Sequence, residues 1–250
     1  MLPNLDRPLN IAHRGASKIA PENTMAAFQK ALEIGADGIE FDVRLSSDGV
    51  PVVIHDTTVD GTTDGNGRVA DLPLRELRRL DAGASFDVTF AGARIPTLAQ
   101  VFEILGEQLL LNIELKQEGF FGSGLEEAVA DLIQKHTLEQ GVLVSSFNPL
   151  ALRRIQRISP RLRTALLSAH PGSRVLRTAG LALGRPSWAL HPEYAGVDAT
   201  LVSWAHARGL RLHTWTVDDP ADMRRLIRWG VDGIITNVPD VLRDVLDAIP

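Results

Sequence analysis

Short apolar runs recur along the chain at Leu9–Ala12, Gly38–Val43, Leu109–Leu115, Val142–Ser146, Arg163–Leu167, Trp188–His191, Leu210–Thr216 and Gly233–Thr236. Most are continuously apolar rather than alternating, as expected of parallel strands covered on both faces. Between them lie stripes at helical spacing: Phe28, Ala31 and Leu32; Leu125, Val129, Leu132 and Ile133; Met223, Leu226 and Ile227; Val241, Leu242, Val245 and Leu246. Glu22, Asn23 and Thr24 read as organising the first helix start, and Pro149, Pro220 and Pro239 suit first-turn positions. Eight strands alternating with helices over 250 residues predict an α/β fold, a (β/α)8 TIM barrel. A doubly wound open sheet is the structural alternative.

One internal echo supports repetition of βα units. Glu33-Ile34-Gly35-Ala36-Asp37-Gly38-Ile39-Glu40 resembles Arg228-Trp229-Gly230-Val231-Asp232-Gly233-Ile234-Ile235, each reading as a helix closed by glycine, a tight turn and a strand. The regular spacing breaks once, from Thr57 to Ile95, where a glycine-rich turn and a short helical pattern interrupt it. Connections this long are uncommon unless functional. The expectation is a single domain over residues 1–250 with a small insertion after the second strand, at about 57–95.

Composition narrows the class without choosing the chemistry. A hydrophobic content of 44% and a mean hydropathy of +0.01 suit a water-soluble protein with a sizeable core. The net charge of −5 argues against a nucleic-acid partner. No cysteine is present, which excludes disulfides, thiolate catalysis and zinc–thiolate sites. The absence of a signal-like start or a stretch of ~20 apolar residues predicts a cytoplasmic protein with no transmembrane segment. The oligomeric state is open.

The chemistry-bearing residues fall at the ends of the apolar runs, where a barrel keeps its active site. His13 closes the first. Glu40 and Asp42 are two apart in the second and share a face, and Glu114 and Lys116 repeat that geometry in the third. Buried, unpaired carboxylates cost several kcal/mol, so a divalent cation is the simplest partner for the acids. His13 and His55, flanking Glu40 and Asp42 in sequence, read as general acid and base around it. Trp215 ends the seventh run. His170 and His191 follow the fifth and sixth, His191 being the better candidate to line the mouth as a substrate contact. His213 reads as a hydrogen-bonded core residue, His136 and His206 as surface.

The ordered set His13-Arg14-Gly15, Pro21-Glu22-Asn23-Thr24, Glu40-x-Asp42, His55-Asp56, Gly65-x-Gly67, Ile95-Pro96-Thr97-Leu98, Glu114-x-Lys116, Ser146-Phe147, Trp215-Thr216-Val217 and Gly230-Val231-Asp232-Gly233-Ile234 resembles the glycerophosphodiester phosphodiesterase family over nearly the whole chain. The resemblance implies hydrolysis of a small-molecule glycerophosphodiester to sn-glycerol 3-phosphate and an alcohol, with one divalent metal ion. It implies Glu40, Asp42 and Glu114 as metal ligands, His13 and His55 as the acid–base pair, Arg14 and Lys116 as phosphate-binding residues and Trp215 as an apolar wall. All-carboxylate ligation favours a hard ion, Mg2+ or Ca2+. One departure stands out: where relatives often read Asp-Arg-Thr-Thr, this chain has Asp60-Gly61-Thr62-Thr63.

Competing readings leave residues idle. A glycosidase using Glu40 and Glu114 gives no work to His13, Arg14, His55 or Lys116. A Schiff-base Lys116 conflicts with Glu114 on the same face, which favours the charged ammonium. A phosphodiesterase acting on lysophospholipids is the nearby alternative, and a non-catalytic phosphodiester-binding barrel the alternative of another class.

Overall fold

The computed structural model describes residues 6–116, 122–169 and 187–249. Among them run β1 (Leu9–His13), β2 (Gly38–Leu45), β3 (Pro51–Val53), β4 (Leu110–Leu115), β5 (Val142–Ser146), β6 (Arg163–Ser168), β7 (Ala189–Pro192), β8 (Arg211–Thr214) and β9 (Gly233–Thr236). The sheet order is β1-β9-β8-β7-β6-β5-β4-β2-β3, and an added β1–β2 pairing closes it into a barrel. The eight barrel strands are parallel, while β3 pairs antiparallel with β2 and stands outside the barrel. The eight apolar runs thus locate the barrel strands, with edges shifted by a residue or two. β3 lies outside those eight runs. It forms because β2 continues past the barrel to Arg44 and Leu45, which pair back onto Val52 and Pro51.

The helices among the described residues are α1 (Met25–Ile34), α2 (Leu74–Leu77), α3 (Leu98–Leu105), α4 (Leu125–Lys135), α5 (Pro149–Ile158), α6 (Ala199–His206), α7 (Pro220–Trp229) and α8 (Pro239–Asp247). Their starts obey local chemistry. Thr97 and Gln100 form a reciprocal capping box on α3, and Asn148 and Asp219 cap helices whose first turn holds Pro149 and Pro220. No described helix is long and apolar enough to cross a membrane.

Strand alternation decides what the barrel presents. Outward residues of β2 and β4 (Ile39, Phe41, Val43, Leu111, Ile113 and Leu115) pack with Phe28, Val101, Val129 and Ile133 of the surrounding helices. Inside, Leu9, Ile11, Leu110, Leu143, Ala165, Ala189 and Ile235 make an apolar plug. Glu40, Asp42 and Glu114, out of phase with the outward residues, therefore point inward above that plug.

The segment from Thr57 to Ile95 has structure of its own. Two 3-10 turns and α2 enclose a small core of Val52, Ile54, Val59, Val69, Leu77, Ala82 and Ile95. It follows β3 and leads into α3, so it decorates the end of the barrel where β2 finishes.

The internal echo has a structural counterpart. Gly35 and Gly230 both close their helices in the left-handed region. Two residues on, Asp37 accepts from the Asn10 N–H at 2.7 Å and pairs with Arg7, and Asp232 accepts from the Leu212 N–H at 2.8 Å and pairs with Arg211. Each aspartate thus ties the start of its strand to the neighbouring one. Burial alone would raise the Asp232 carboxyl, but bonds from Arg211, His206 and Leu212 hold it below its ordinary range. Its stabilisation is full above the ordinary carboxylate pKa and is lost as pH falls through the lowered one. Asp232→Ala is expected to cost about 2 kcal/mol in urea unfolding at neutral pH. The deficit should shrink in acid; an unchanged deficit there assigns the loss to packing.

Candidate active site

Register brings the sequence-selected residues together. His13, the last residue of β1, lies opposite Glu40 of β2, and Asp42 lies opposite Glu114 of β4. Arg14 and Lys116 follow their strands directly. His55 comes two residues after β3, and Trp215 one residue after β8. His13, Arg14, Glu40, His55, Asn112, Glu114 and Lys116 form one wall of a cavity of about 190 Å³; Phe147, Leu167, Trp215, Thr216 and Ile235 form the other. The first wall is charged and the second largely apolar.

The turn after β1 explains the His13-Arg14-Gly15 spacing. Arg14 holds a left-handed φ of 55°, which an L side chain rarely adopts. Its N–H donates to the Glu40 carbonyl at 2.8 Å and its carbonyl accepts from the Asn23 N–H at 3.0 Å, which fixes that conformation. Gly15 has φ 83°, and a Cβ there would sit 2.6 Å from the Ala27 backbone. Only glycine lets α1 approach β1 this closely.

Oxygens of Glu40, Asp42 and Glu114 all lie within 4.8 Å of one another, and all three residues are buried. Asp42 takes a bond from Asn23 Nδ2 at 2.9 Å and contacts from Lys116 Nζ at 3.0 Å and Arg14 Nε at 3.4 Å. Although burial opposes it, Lys116 and Arg14 hold Asp42 below its ordinary range. Glu114 lies 2.5 Å from Lys116 Nζ, yet burial and the Asp42 charge push it up to about 7. Burial, with Asp42 and Glu114 alongside, pushes Glu40 well up. Lys116 and Arg14 therefore do not balance the triad, more so because Arg14 also pairs with Glu22 at 2.9 Å. An all-oxygen, over-acidic cluster of this kind fits a hard divalent cation.

The two catalytic candidates are set up differently. Asp218 accepts from Asn237 Nδ2 at 2.7 Å, so Asn237 Oδ1 faces His13 Nδ1, also at 2.7 Å. A carbonyl can only accept, so Nδ1 of His13 carries hydrogen and the neutral ring keeps its lone pair on Nε2. That atom lies on the Glu40 side, 3.8 Å from Oε2. Burial, with Arg14 adjacent, pushes His13 down to about 4. His55 instead places Nδ1 2.7 Å from the Asp56 carboxylate, and Arg44 Nε donates to the His55 carbonyl at 2.8 Å. At Gly61, the departure noted above, a Cβ would come within 3.0 Å of Asp56 Oδ2.

Two expectations change. The His191 side chain does not line the mouth. It is completely buried, its Nε2 3.1 Å from His213 Nδ1, because the ring packs on His213 rather than facing the cavity. Its carbonyl does reach the site indirectly, accepting from Trp215 Nε1 at 2.7 Å. Glu22 and Asn23 do not cap α1, a task performed by Thr24; they engage Arg14 and Asp42. His170 lies outside the described residues. Asn237 and Asp218 were missed, although Asn237 directly follows β9, as Arg14 follows β1 and Lys116 follows β4.

Comparison with known proteins converges on one family. A model described as the glycerophosphoryl diester phosphodiesterase family matches residues 13–241. A glycerophosphodiester phosphodiesterase of Caldanaerobacter subterraneus is 46% identical over 94% of this chain and 96% of its own length. One of Bacillus subtilis is 34% identical over 96% and 87%. Among solved structures, an Oleispira antarctica phosphodiesterase in complex with the product sn-glycerol-3-phosphate superposes with a TM-score of 0.87 at 32% identity, covering 97% of this chain and 98% of that one.

Proposed function

Since this chain belongs to the glycerophosphoryl diester phosphodiesterase family, we propose that it hydrolyses glycerophosphodiesters to sn-glycerol 3-phosphate and an alcohol, using one divalent cation and the His13/His55 pair. It is a phosphoric diester hydrolase. The observation that carries the finer reading is the meeting of two imidazoles, an over-acidic triad and two cations around one cavity.

Glu40, Asp42 and Glu114 would hold Mg2+ or Ca2+, which when bound neutralises charge developing on the phosphoryl oxygens. Arg14 and Lys116 bind the phosphate from the same wall. His13, neutral and with Nε2 free of hydrogen, takes a proton from the water that attacks phosphorus. His55, backed by the Asp56 carboxylate, gives a proton to the departing alkoxide. Leu167, Ile235 and Trp215 cover the carbon skeleton of the glycerol and exclude water from it.

The test is turnover of glycerophosphocholine and glycerophosphoethanolamine, with sn-glycerol 3-phosphate detected by a coupled assay. Release from either supports the reading. Binding without release, in Mg2+ or Ca2+, leaves the non-catalytic barrel. One observation favours lysophospholipids as further substrates: Phe147, 45% exposed and edge-on to Trp215, puts apolar surface at the cavity. Lysophosphatidylcholine in the same assay decides that reading.

A further inference from the structure

Asn112 is the anomaly of the barrel interior. It is completely buried, and neither Nδ2 nor Oδ1 has a hydrogen-bond partner among the described residues. Buried amides are nearly always satisfied, and one left open on both atoms points to a group that arrives later. Ser145, His191 and His213, also on barrel strands, each leave a single polar atom open and do not line the cavity; Arg14, with Nε orphaned, does line it, but that atom lies 3.4 Å from the Asp42 carboxylate. Asn112 lines it as well. It pairs in register with Glu40 and precedes Glu114 by two residues, so it shares their inward face one level deeper. On its own strand the next inward residue below it is Leu110, part of the apolar plug.

The remaining lining sorts by chemistry. Arg14 and Lys116 suit phosphate oxygens, and Leu167, Ile235 and Trp215 suit carbon. An alcohol hydroxyl both donates and accepts, and a carboxamide with two open atoms matches it on both counts. We infer that Asn112 binds a free hydroxyl of the substrate's glycerol at the cavity floor and makes the enzyme selective for a glycerol, rather than a generic alkyl, phosphodiester. This rests on the proposed glycerophosphodiester reaction. It also sets orientation: the glycerol goes in first and the head group faces the mouth.

The experiment compares kcat/KM on glycerophosphocholine with that on its two propanediol analogues, each lacking one of the free hydroxyls. Wild type is expected to favour the glycerol substrate over one analogue by about 10–100-fold. In Asn112→Leu, and in Asn112→Ala should the leucine variant not fold, that ratio should fall towards one. Because a ratio is taken within one protein, it is insensitive to the folded fraction. Equal wild-type rates on all three substrates overturn the inference while leaving the reaction standing. So does a variant that slows yet keeps the wild-type ratio, which marks Asn112 as structural. No turnover of any substrate by wild type overturns the proposed reaction itself, and this inference with it.

Discussion

Alanine at His13 or at His55 is expected to lower kcat on glycerophosphocholine by about 10²–10⁴-fold, the usual contribution of a positioned acid or base. The two losses should then separate by leaving group. A p-nitrophenyl ester of glycerol phosphate departs as a stable phenolate and needs no proton. On that substrate His55→Ala should recover most of its rate, whereas His13→Ala should stay slow. The asymmetry follows from the hydrogen bonds behind each ring. His13 is backed by a neutral amide that fixes its lone pair on Nε2, and His55 by the Asp56 carboxylate, an anionic partner for its ring. The reverse pattern of rescue would exchange the roles. Equal rescue, or none for either variant, would mean that neither histidine is committed to a single proton transfer.

The second large effect concerns the cation. Exhaustive chelation should abolish turnover, and Mg2+ or Ca2+ at about 100 times its Kd should stabilise the protein by about 2.7 kcal/mol. For a chain of this size that is a rise in Tm of about 5–10 °C. The triad is the reason. Burial and mutual repulsion hold Glu40 and Glu114 above the ordinary carboxylate range, so ion-free protein carries an unfavourable charge cluster. Glu40→Gln replaces one of these carboxyls with a group that cannot ionise. That variant should melt above ion-free wild type yet show little shift on adding the ion, together with a loss of activity. Full activity after rigorous chelation would sink the carboxylate site, as would a Glu40→Gln protein that binds and responds to the ion like wild type.

Much of this protein could be read before any coordinates. Continuous apolar runs located the barrel strands because parallel strands covered by helices leave no polar face to interrupt them. The same rule exposed the site. At Glu40, Asp42 and Glu114 that pattern fails at inward positions near strand ends, where only a ligand or cation can repay burial. The helix starts were legible where one residue acts on its near neighbours, as Asn148 and Asp219 do.

Other features depend on residues far apart in the chain. Asn237 and His13 are 224 residues apart and meet only because β9 pairs with β1 when the barrel closes. Asn23 looks like a cap by its position and becomes a partner of Asp42 by its left-handed φ of 57°. His191 faces inward as its period requires, but the direction of its ring was settled by His213 on the next strand. Periodicity determines the face of a side chain and composition the kind of ion it can meet. The rotamer, the tautomer and the partner across the barrel are set by closure, because each depends on atoms that only tertiary packing brings within hydrogen-bond range.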